Sequence, residues 1–282
     1  MTSALVLEGG AYRGQFTAGV LDVLLEQKIY VDRVYGVSAG ALCAFNYCSH
    51  QIGRSNRVNL AFRDDKRYMS MPARIKKGAI VPPDFLYDAV QNRIDPFDNE
   101  AYDSCGIENY AVVSNLQTGQ AEYMRVATHE DIDIVRASAS LPLFSEPVII
   151  NDIPYLDGGT TDSVPVEHSL SEGNDRIIVV LTQHRQFVKH QYSPSMLKSM
   201  SIAYHKYPNF FEAIQTRYKR YNQQRINIFR LENEGKILLI APPEPVKVRS
   251  VNPDGYSLLT LYVKGRQEAL KNIESIREYL TN

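Results

Sequence analysis

The chain begins with two short units in which an apolar strand runs into a tight, glycine-containing turn and then into a helix. In the first unit, Ala4–Leu7 is followed by the loop Glu8–Gly14 and by helical periodicity over Gln15–Gln27. In the second, Val31–Val37 runs into the small and apolar residues of Ala39–Cys48. Parallel strands need a crossover connection, which is usually a helix. The repeated order therefore predicts an α/β fold with a mostly parallel central sheet and covering helices.

Further strands and helices are predicted along the rest of the chain. Strand patterns occur at Asn109–Ser114, Glu122–Val126, Pro147–Ile150, Ile153–Leu156, Ile177–Leu181 and Lys236–Ile240, and helical patterns occur at Asp131–Ala139, Pro194–Tyr204, Asn209–Gln224 and Tyr256–Leu280. Residues 49–105 are rich in charge and tyrosine, are interrupted by prolines and add no strand, so we expect a helical cap or lid within a single domain over 1–282. Residues 185–282 are predicted to form a helical region with one further strand packed on the core.

The composition favours a globular protein without a metal or cofactor site. Of 282 residues, 44% are hydrophobic and 22% are charged, which is ordinary for a folded domain. The cysteines Cys43, Cys48 and Cys105 form no C-x-x-C pair, and no D-x-D-x-D-G calcium loop is present. Glu8 interrupts the N-terminal apolar residues, and the longest apolar runs are strand-sized, so neither a secretory signal nor a membrane span is predicted. We expect a cytoplasmic protein whose membrane contact, if any, is peripheral.

The net charge of −1 hides a strong asymmetry along the sequence. Residues 51–80 carry eight Arg or Lys against two Asp, residues 95–175 carry sixteen Asp or Glu against two Arg, and residues 185–230 carry nine Arg or Lys against one Glu. Basic blocks of this kind can dock anionic phosphates, and they are equally typical of a solvated helix face. Peripheral contact with an anionic membrane surface is therefore a hypothesis, and no nucleic-acid partner is predicted.

The pentapeptide Gly36-Val37-Ser38-Ala39-Gly40 fits a nucleophile elbow. It lies between a β-branched run and a helix of small residues, as the strand-to-helix turn of a serine hydrolase requires. Larger side chains would clash at Gly36 and Gly40 in so tight a turn, and the strained backbone exposes the hydroxyl of Ser38. The alternative is that Ser38 is an ordinary N-cap residue. The context favours Ser38 as a nucleophile.

The loop Glu8-Gly9-Gly10-Ala11-Tyr12-Arg13-Gly14 can turn several N–H groups towards one point. A dinucleotide fingerprint is disfavoured because Ala11 occupies its second glycine position and no acidic residue ends the second strand, and a Walker loop lacks its Gly-Lys-Ser/Thr. An oxyanion hole fits better, since neighbouring parallel strands bring this loop and Ser38 to the same sheet edge. Arg13 would place a positive charge near the anion, hold the loop by bonds to carbonyl oxygens, or point into solvent.

A serine hydroxyl needs a base, and two candidates follow the elbow. Asp157 ends an apolar hairpin strand and precedes Gly158 and Gly159, which allow a sharp turn and the close approach of another loop. The same residues would also suit an ordinary Asp-Gly turn. His168 would complete a Ser–Asp–His triad, although it lies in a pattern typical of a helix start and nothing around it favours that role.

Together, the three motifs resemble those of the patatin-like phospholipase family, which includes the catalytic core of cytosolic phospholipase A. That family has G-G-G-x-(K/R)-G at the first strand, G-x-S-x-G at the next and a later D-G-(G/A). Gly9–Gly14, Gly36–Gly40 and Asp157–Gly159 are similar in order and spacing, and Ala137–Phe144 is similar to the family's Ala/Ser-rich helix end with its following proline. The resemblance covers roughly Ala4–Val166.

The resemblance implies a patatin-like three-layer sandwich and a serine acyl hydrolase of the esterase or phospholipase A type. Ser38 would attack the ester and form an acyl-enzyme, with Asp157 as general base and no histidine. The oxyanion hole would be formed by Gly9, Gly10 and Ala11, and the supporting residues would be Arg13, Gly14, Gly36, Gly40, Gly158 and Gly159. Ala11 replaces the family's third glycine, and its methyl group is tolerable only if the residue keeps a negative φ.

Two other functions compete with hydrolysis of a lipid or small acyl ester. A catalytically silent lipid- or phosphate-binding module of the same fold predicts a missing catalytic residue, whereas Ser38 and Asp157 are both present. A nucleotide-binding protein is disfavoured because no acidic residue follows the second strand. For the hydrolase, we predict that residues 49–93, with Tyr68, Met69 and Met71, line the acyl channel and that their charges meet lipid headgroups.

Overall fold

The computed structural model describes residues 1–68, 82–248 and 253–281. Within these residues one sheet contains β1 (Ser3–Leu7), β2 (Arg33–Val37), β3 (Glu108–Asn115), β4 (Ala121–Arg125), β5 (Val148–Ile150), β6 (Ile153–Asp157), β7 (Arg176–Val180) and β8 (Ile237–Ile240). The strand order is β5-β6-β3-β2-β1-β7-β8, and β4 also pairs with β3. The run from β3 to β8 is parallel, whereas β4 and β6 pair with β3, and β5 with β6, in antiparallel fashion. The predicted mostly parallel α/β sheet is confirmed.

The helices follow the strands in the order expected of crossover connections. They are α1 (Gly14–Glu26), α2 (Ala39–Cys48), α3 (Arg54–Phe62), a π-helix (Asp84–Ile94), α4 (Asn99–Ser104), α5 (Ile132–Ser138), α6 (Val166–Ser171), α7 (Pro194–Ala203), α8 (Pro208–Asn233), α9 (Gly255–Lys271) and α10 (Ile273–Thr281). Short 3-10 turns cover Ala11–Arg13, His129–Asp131 and Gly158–Thr160. Among the residues that the structure describes, no helix combines the length and hydrophobicity needed to cross a bilayer.

Alternating residues of the parallel strands supply two separate cores, one on each face of the sheet. In β1, Leu5 and Leu7 pack with Phe16 of α1, whereas Ala4 and Val6 pack in the core that holds Ile228 of α8. All six side chains are fully buried. Because side chains alternate along a strand, both faces of the sheet need a helical cover, which produces the three-layer sandwich.

Two helices differ from the predicted boundaries. Helix α8 continues beyond the predicted Gln224 to Asn233, since Ile228 and Leu231 extend its buried face although the buried Arg225 interrupts the apolar pattern. The single helix predicted over Tyr256–Leu280 is instead divided into α9 and α10 at Asn272. The Asn272 side chain donates a hydrogen bond to the Glu268 carbonyl at 2.7 Å, an alternative local bond of the kind that ends a helix.

Strands β2 and β6 meet end to end on one edge of β3. Strand β4 pairs with Tyr110–Ser114 of β3, and this span overlaps the residues paired with β2 and those paired with β6. Strands β2 and β6 must therefore both lie on the edge of β3 that is opposite β4. Because β2 is parallel to β3 and β6 antiparallel, their carboxyl ends converge, with Val37 opposite Val112 and Asp157 opposite Val113.

The cap segment, residues 49–105, contains α3, the π-helix and α4, and its described residues form no strand. Its inner side packs Val58, Tyr68, Phe85 and Val90 against Tyr12 and Leu258. The predicted channel residues Met69 and Met71 lie outside the described residues. The segment thus covers the carboxyl edge of β1 through Tyr12, which follows the glycine loop.

Candidate active site

Ser38 forms the sharp turn between β2 and α2. Its backbone has φ 55° and ψ −118°, a combination that is strained for a residue with a side chain. Although Ser38 occupies the N-cap position, its side chain makes no capping hydrogen bond, so the N-cap alternative does not account for the serine. Its N–H donates to Ser138 Oγ at 2.9 Å. Ser138, at the end of α5, therefore holds the backbone of the turn and leaves the Ser38 hydroxyl available.

Glycine is required around Ser38 because backbone segments approach each other closely. A Cβ at Gly40 would lie 2.5 Å from the Leu7 carbonyl oxygen, and one at Gly36 would lie 2.6 Å from Ala41 Cα. A Cβ at Gly9 would lie 3.1 Å from Ser38 Cβ, and one at Gly14 would lie 2.9 Å from Ala39 Cβ. These contacts place the glycine loop directly against the elbow, as the sequence predicts for neighbouring parallel strands.

The N–H groups of Gly10 and Ala11 make no hydrogen bond to the described part of the chain, so they can donate to a ligand. Ala11 has a φ of 47°, in the left-handed region. The condition of a negative φ at Ala11 is therefore not met. In this conformation the alanine methyl adds about 1 to 2 kcal/mol of strain that glycine would not have.

Glu8 fixes the glycine loop to two other elements, a role that its place in the sequence does not indicate. The buried carboxylate accepts hydrogen bonds from the Thr182 N–H at 2.5 Å and from the Tyr221 hydroxyl at 2.6 Å. The Thr182 hydroxyl donates to the Gly9 carbonyl at 3.0 Å. The loop after β1 is thus held by the loop after β7 and by α8. The only sequence signal is a charged residue at the end of a buried strand.

Asp157 lies at the end of β6 with 2% of its surface exposed. Its Oδ1 accepts a hydrogen bond from the Gly159 N–H at 2.8 Å, and its Oδ2 is buried without a partner in the described chain. A Cβ at Gly158 would collide with the Val112 carbonyl, and one at Gly159 would lie 3.0 Å from Asp157 Oδ1. The two glycines therefore let the turn fold back against β3 and direct an N–H at the carboxylate.

Burial raises the pKa of Asp157, while the Ser38 hydroxyl, Arg217, the Gly159 N–H and Lys189 oppose the rise. The effect of Ser38 shows that its hydroxyl lies beside the carboxylate, but the two do not form a hydrogen bond of good geometry. Catalytic contacts of this kind commonly shorten when substrate binds. A buried carboxylate with a raised pKa is a stronger base than an exposed one.

His168 does not join this pair. Its ring packs against the rings of Tyr35 and Tyr123 on α6's side of the sheet, and it makes no hydrogen bond to Ser38 or Asp157. Burial lowers the pKa of His168, against the charges of Glu172 and Asp162. The packing is that of a histidine filling an aromatic cluster.

A cavity of about 100 Å³ opens onto Ser38 and Ala11. One side is formed by α2 and by Ala139 and Leu141 after α5, and the other by Val58, Tyr68 and Leu86 of the cap segment. The cavity is several times larger than the roughly 15 Å³ that a cavity needs to hold one water molecule. The apolar lining beside a serine hydroxyl is suited to a hydrocarbon chain.

Two basic side chains, Arg217 and Lys189, lie near Asp157, and Arg13 lies near Lys189. Arg217 Nη1 donates to the Tyr192 hydroxyl at 2.6 Å, and its Nη2 lies 3.2 Å from the position of a Cβ at Gly159. Lys189 Nζ lies 4.5 Å from the Tyr221 ring centroid. Burial lowers the pKa of Lys189 to about 7, and Arg217 and Arg13 act in the same direction. Arg13 does not bond to loop carbonyls through its side chain, and its buried Nε has no partner in the described chain.

No group of three or more His, Cys, Asp or Glu side chains in the described ranges is arranged to hold a metal ion.

Residues 5–170 match a family described as "Patatin-like phospholipase", and residues 207–281 match one described as "Domain of unknown function (DUF6363)". The first match contains all three motifs and agrees with the resemblance predicted over Ala4–Val166. The second begins near the start of α8 and ends with α10.

The curated relatives include one bacterial and several fungal proteins. The chain is 29% identical over 202 residues to the uncharacterized protein YjjU of Escherichia coli, covering 70% of this chain and 56% of that protein. It is 28% identical over 185 residues to lysophospholipase nte1 of Aspergillus niger, covering 62% of this chain and 11% of that protein. The crystal structure of VipD from Legionella pneumophila superposes with a TM-score of 0.47 and 14% identity, covering 97% of this chain and 67% of that chain. The chain thus spans little more than half of YjjU and a small part of the fungal protein.

Proposed function

The chain belongs to the patatin-like phospholipase family, and on that premise we propose that it is a serine acyl hydrolase of lipid esters, with Ser38 as nucleophile and Asp157 as general base. The observation that carries the proposal is the end-to-end meeting of β2 and β6. It puts a strained, uncapped serine beside a buried carboxylate whose pKa is raised. The lysophospholipase relatives support a lipid ester as the substrate.

In the acylation step, Ser38 Oγ attacks the ester carbonyl carbon and its proton passes to Asp157 Oδ2, the oxygen that has no other partner. The carbonyl oxygen becomes an oxyanion, which the N–H groups of Gly10 and Ala11 stabilise, with Gly9 fixing the loop against the elbow. When the tetrahedral intermediate collapses, Asp157 returns the proton to the leaving alcohol. The acyl group remains on Ser38.

In the deacylation step, water replaces the alcohol. Asp157 accepts a proton from the water as it attacks the acyl-enzyme carbonyl, and the same N–H groups stabilise the second oxyanion. Collapse breaks the bond to Ser38 Oγ, which takes the proton back, and the free fatty acid leaves. One oxyanion donor contributes about 100- to 1000-fold in rate. A dyad with a raised carboxylate pKa needs no imidazole, since the carboxylate itself exchanges the proton.

The apolar cavity supports an acyl substrate, because Val58, Tyr68 and Leu86 of the cap segment and Leu141 form its walls beside Ser38. The acyl chain would lie in this cavity while the alcohol part of the ester extends towards Asp157. This arrangement supports the predicted role of the cap segment as a lid over the acyl channel.

We further propose that any contact with an anionic membrane surface is weak. The described arginines of the first basic block are already paired, Arg54 and Arg57 with Asp95, Arg63 with Asp64 and Arg67 with Asp65. In flotation with vesicles containing phosphatidylserine, we expect modest binding that added salt removes. Strong, salt-resistant flotation would contradict electrostatic contact.

A fluorophosphonate probe tests the enzyme against the catalytically silent alternative. We expect labelling of the wild type and none of Ser38→Ala, with Ser138→Thr as a matched control that retains a hydroxyl beside the elbow. Because a probe adduct forms only on an activated serine, labelling of neither protein would favour the silent module, and equal labelling of wild type and Ser38→Ala would show that the reactive serine is not Ser38.

A further inference from the structure

The basic side chains of the second basic block, residues 185–230, lie in different surroundings in the fold. At its ends Arg185 and Arg230 form surface ion pairs with Glu232 and Glu234. Lys189 and Arg217 instead turn towards Asp157 and interact electrostatically with it. Neither of these two side chains forms an ion pair within the described chain. Both lie outside residues 5–170, in the C-terminal part that the patatin match does not cover.

The two side chains are held in place by neutral partners. Asn222 of α8 bonds both the N–H and the carbonyl of Lys189, each at 2.9 Å, and the Lys189 ammonium faces the Tyr221 ring. The Tyr192 hydroxyl accepts from Arg217, whose Nε is buried without a partner. The unpartnered Nε of Arg217 leaves hydrogen-bonding capacity for a bound anion.

Charged side chains of both signs lie near the dyad. Arg13 and Arg217 act on Lys189 together with two carboxylates, Glu8 and Asp157, and the Lys189 amine, with its pKa of about 7, is only partly charged near neutral pH. Glu8 is already satisfied by Thr182 and Tyr221. Transfer of the Ser38 proton to Asp157 leaves the net charge of the site unchanged, because the negative charge moves to the oxyanion. An anionic group on the substrate would favour the charged form of Lys189 and would pair with the two cationic side chains near Asp157.

We infer that Lys189 and Arg217, with Arg13, form a subsite for a phosphate group carried by the alcohol part of the ester. Two guanidinium groups and one ammonium match the several oxygens of a phosphate, which neutral headgroups lack. The inference rests on the proposed function of Ser38. It goes further because it predicts a substrate preference. The protein should prefer esters whose alcohol part carries a phosphate monoester close to the ester bond over neutral esters with the same acyl chain.

Selectivity between two matched substrates tests the subsite. We compare kcat/KM for 1-oleoyl-glycerol 3-phosphate and for 1-oleoylglycerol in mixed micelles, using full-length wild type, Lys189→Met and Arg217→Gln. We expect the ratio of phosphate ester to neutral ester to fall about tenfold or more in each variant, in keeping with the strength of hydrogen bonds to charged groups. Lys189→Arg should retain most of the ratio. An unchanged ratio in Lys189→Met and Arg217→Gln would overturn the proposal.

Lys219→Met is the matched control, because Lys219 lies two residues from Arg217 on α8 and is exposed. Its ratio should stay within about twofold of wild type, since exposed cations are screened by solvent. A fall as large as that of Lys189→Met would indicate a general surface-charge effect and would also overturn the subsite. Thermal unfolding of each variant identifies any loss caused by misfolding.

A binding measurement separates failure of the subsite from failure of the hydrolase. Calorimetric titration of Ser38→Ala with 1-oleoyl-glycerol 3-phosphate needs no catalysis, and we expect the affinity to weaken about tenfold in Ser38→Ala/Lys189→Met. If wild type hydrolyses neither ester but this difference is found, the proposed function fails and the subsite stands. Inorganic phosphate should bind more weakly than the lipid. Equal affinity for free phosphate would overturn the assignment to a lipid headgroup.

Discussion

Ser38 and Asp157 are neighbours because the strands that carry them end against consecutive residues of β3, Val112 and Val113. A central strand therefore brings together the proposed nucleophile and the proposed base, and no loop has to close for them to meet. Ser138 bonds the Ser38 N–H, and the Gly159 N–H bonds Asp157. Both members of the pair are thus positioned by backbone or buried groups, which is the preorganisation that a proton transfer requires.

Asp157→Asn should lower kcat for a short-chain ester by about 100- to 10,000-fold, because the amide cannot accept the proton of Ser38. His168→Ala should stay near wild type, since His168 packs on Tyr35 and Tyr123 away from the dyad. Steady-state hydrolysis of p-nitrophenyl butyrate measures both. If His168→Ala lost as much activity as Asp157→Asn, the result would indicate a Ser–Asp–His triad instead of a dyad.

Asp157→Asn should also be more stable than wild type at about pH 7. Folding raises the pKa of Asp157 above its ordinary value of 3.8, so the native state favours the protonated carboxyl. The contribution of Asp157 to stability is complete below about pH 3.8 and is lost as the pH rises through the raised pKa. Thermal unfolding of both proteins across this range should show an advantage for the asparagine variant that grows with pH. An advantage independent of pH would contradict the raised pKa.

Ser138→Ala should reduce kcat by about tenfold or more while KM changes less. The variant leaves the buried Ser38 N–H without its partner at 2.9 Å, at a cost of about 1 to 3 kcal/mol, and the strained elbow can relax. Ser140→Ala is the control, because the Ser140 hydroxyl bonds the Arg136 carbonyl instead. Equal kinetics for the two variants would show that Ser138 does not position the nucleophile.

Ala11→Gly should retain activity and unfold within about 1 kcal/mol of wild type. Relief of left-handed strain, about 1 to 2 kcal/mol, is offset by about 0.4 to 1 kcal/mol from the greater entropy of glycine in the unfolded chain. Ala11→Val should lose both stability and kcat, because a branched side chain is poorly accommodated at the φ of 47°. Urea unfolding and ester hydrolysis provide the two measurements. Full activity in the valine variant would mean that the loop can adopt another conformation.

Val58→Phe should shorten the preferred acyl chain. Val58 is 7% exposed and lines the cavity at Ser38, so a larger ring would occupy space that an acyl chain needs. We expect kcat/KM to fall for p-nitrophenyl dodecanoate and to change little for the acetate. Val90→Ile, a fully buried change in the same cap core but outside the cavity lining, is the control. An unchanged chain-length profile in Val58→Phe would place the acyl chain elsewhere.

Much of the site can be predicted from local pattern because its constraints are local. A strand followed by Gly36-Val37-Ser38-Ala39-Gly40 and a helix of small residues permits few backbone paths, and the glycines at both ends of the turn reflect contacts within about five residues or with the adjacent strand. Helix α2 accordingly has its predicted limits. Helix α8 does not, because Arg225 is buried through bonds to the His184 and Arg185 carbonyls, which sequence periodicity does not represent.

The sequence by itself determined the parallel α/β sheet, the elbow at Ser38 and the candidate base Asp157, since these depend on hydrophobic alternation and on turns that only small residues permit. Only the tertiary structure decided which of these residues contact each other. Whether Asp157 meets Ser38 depends on the antiparallel register of β6 on β3, which is set by long-range pairing. The left-handed backbone of Ala11 and the inward direction of Lys189 and Arg217 also depend on the tertiary structure. A long basic side chain faces solvent or a buried site according to the surroundings that the whole fold provides.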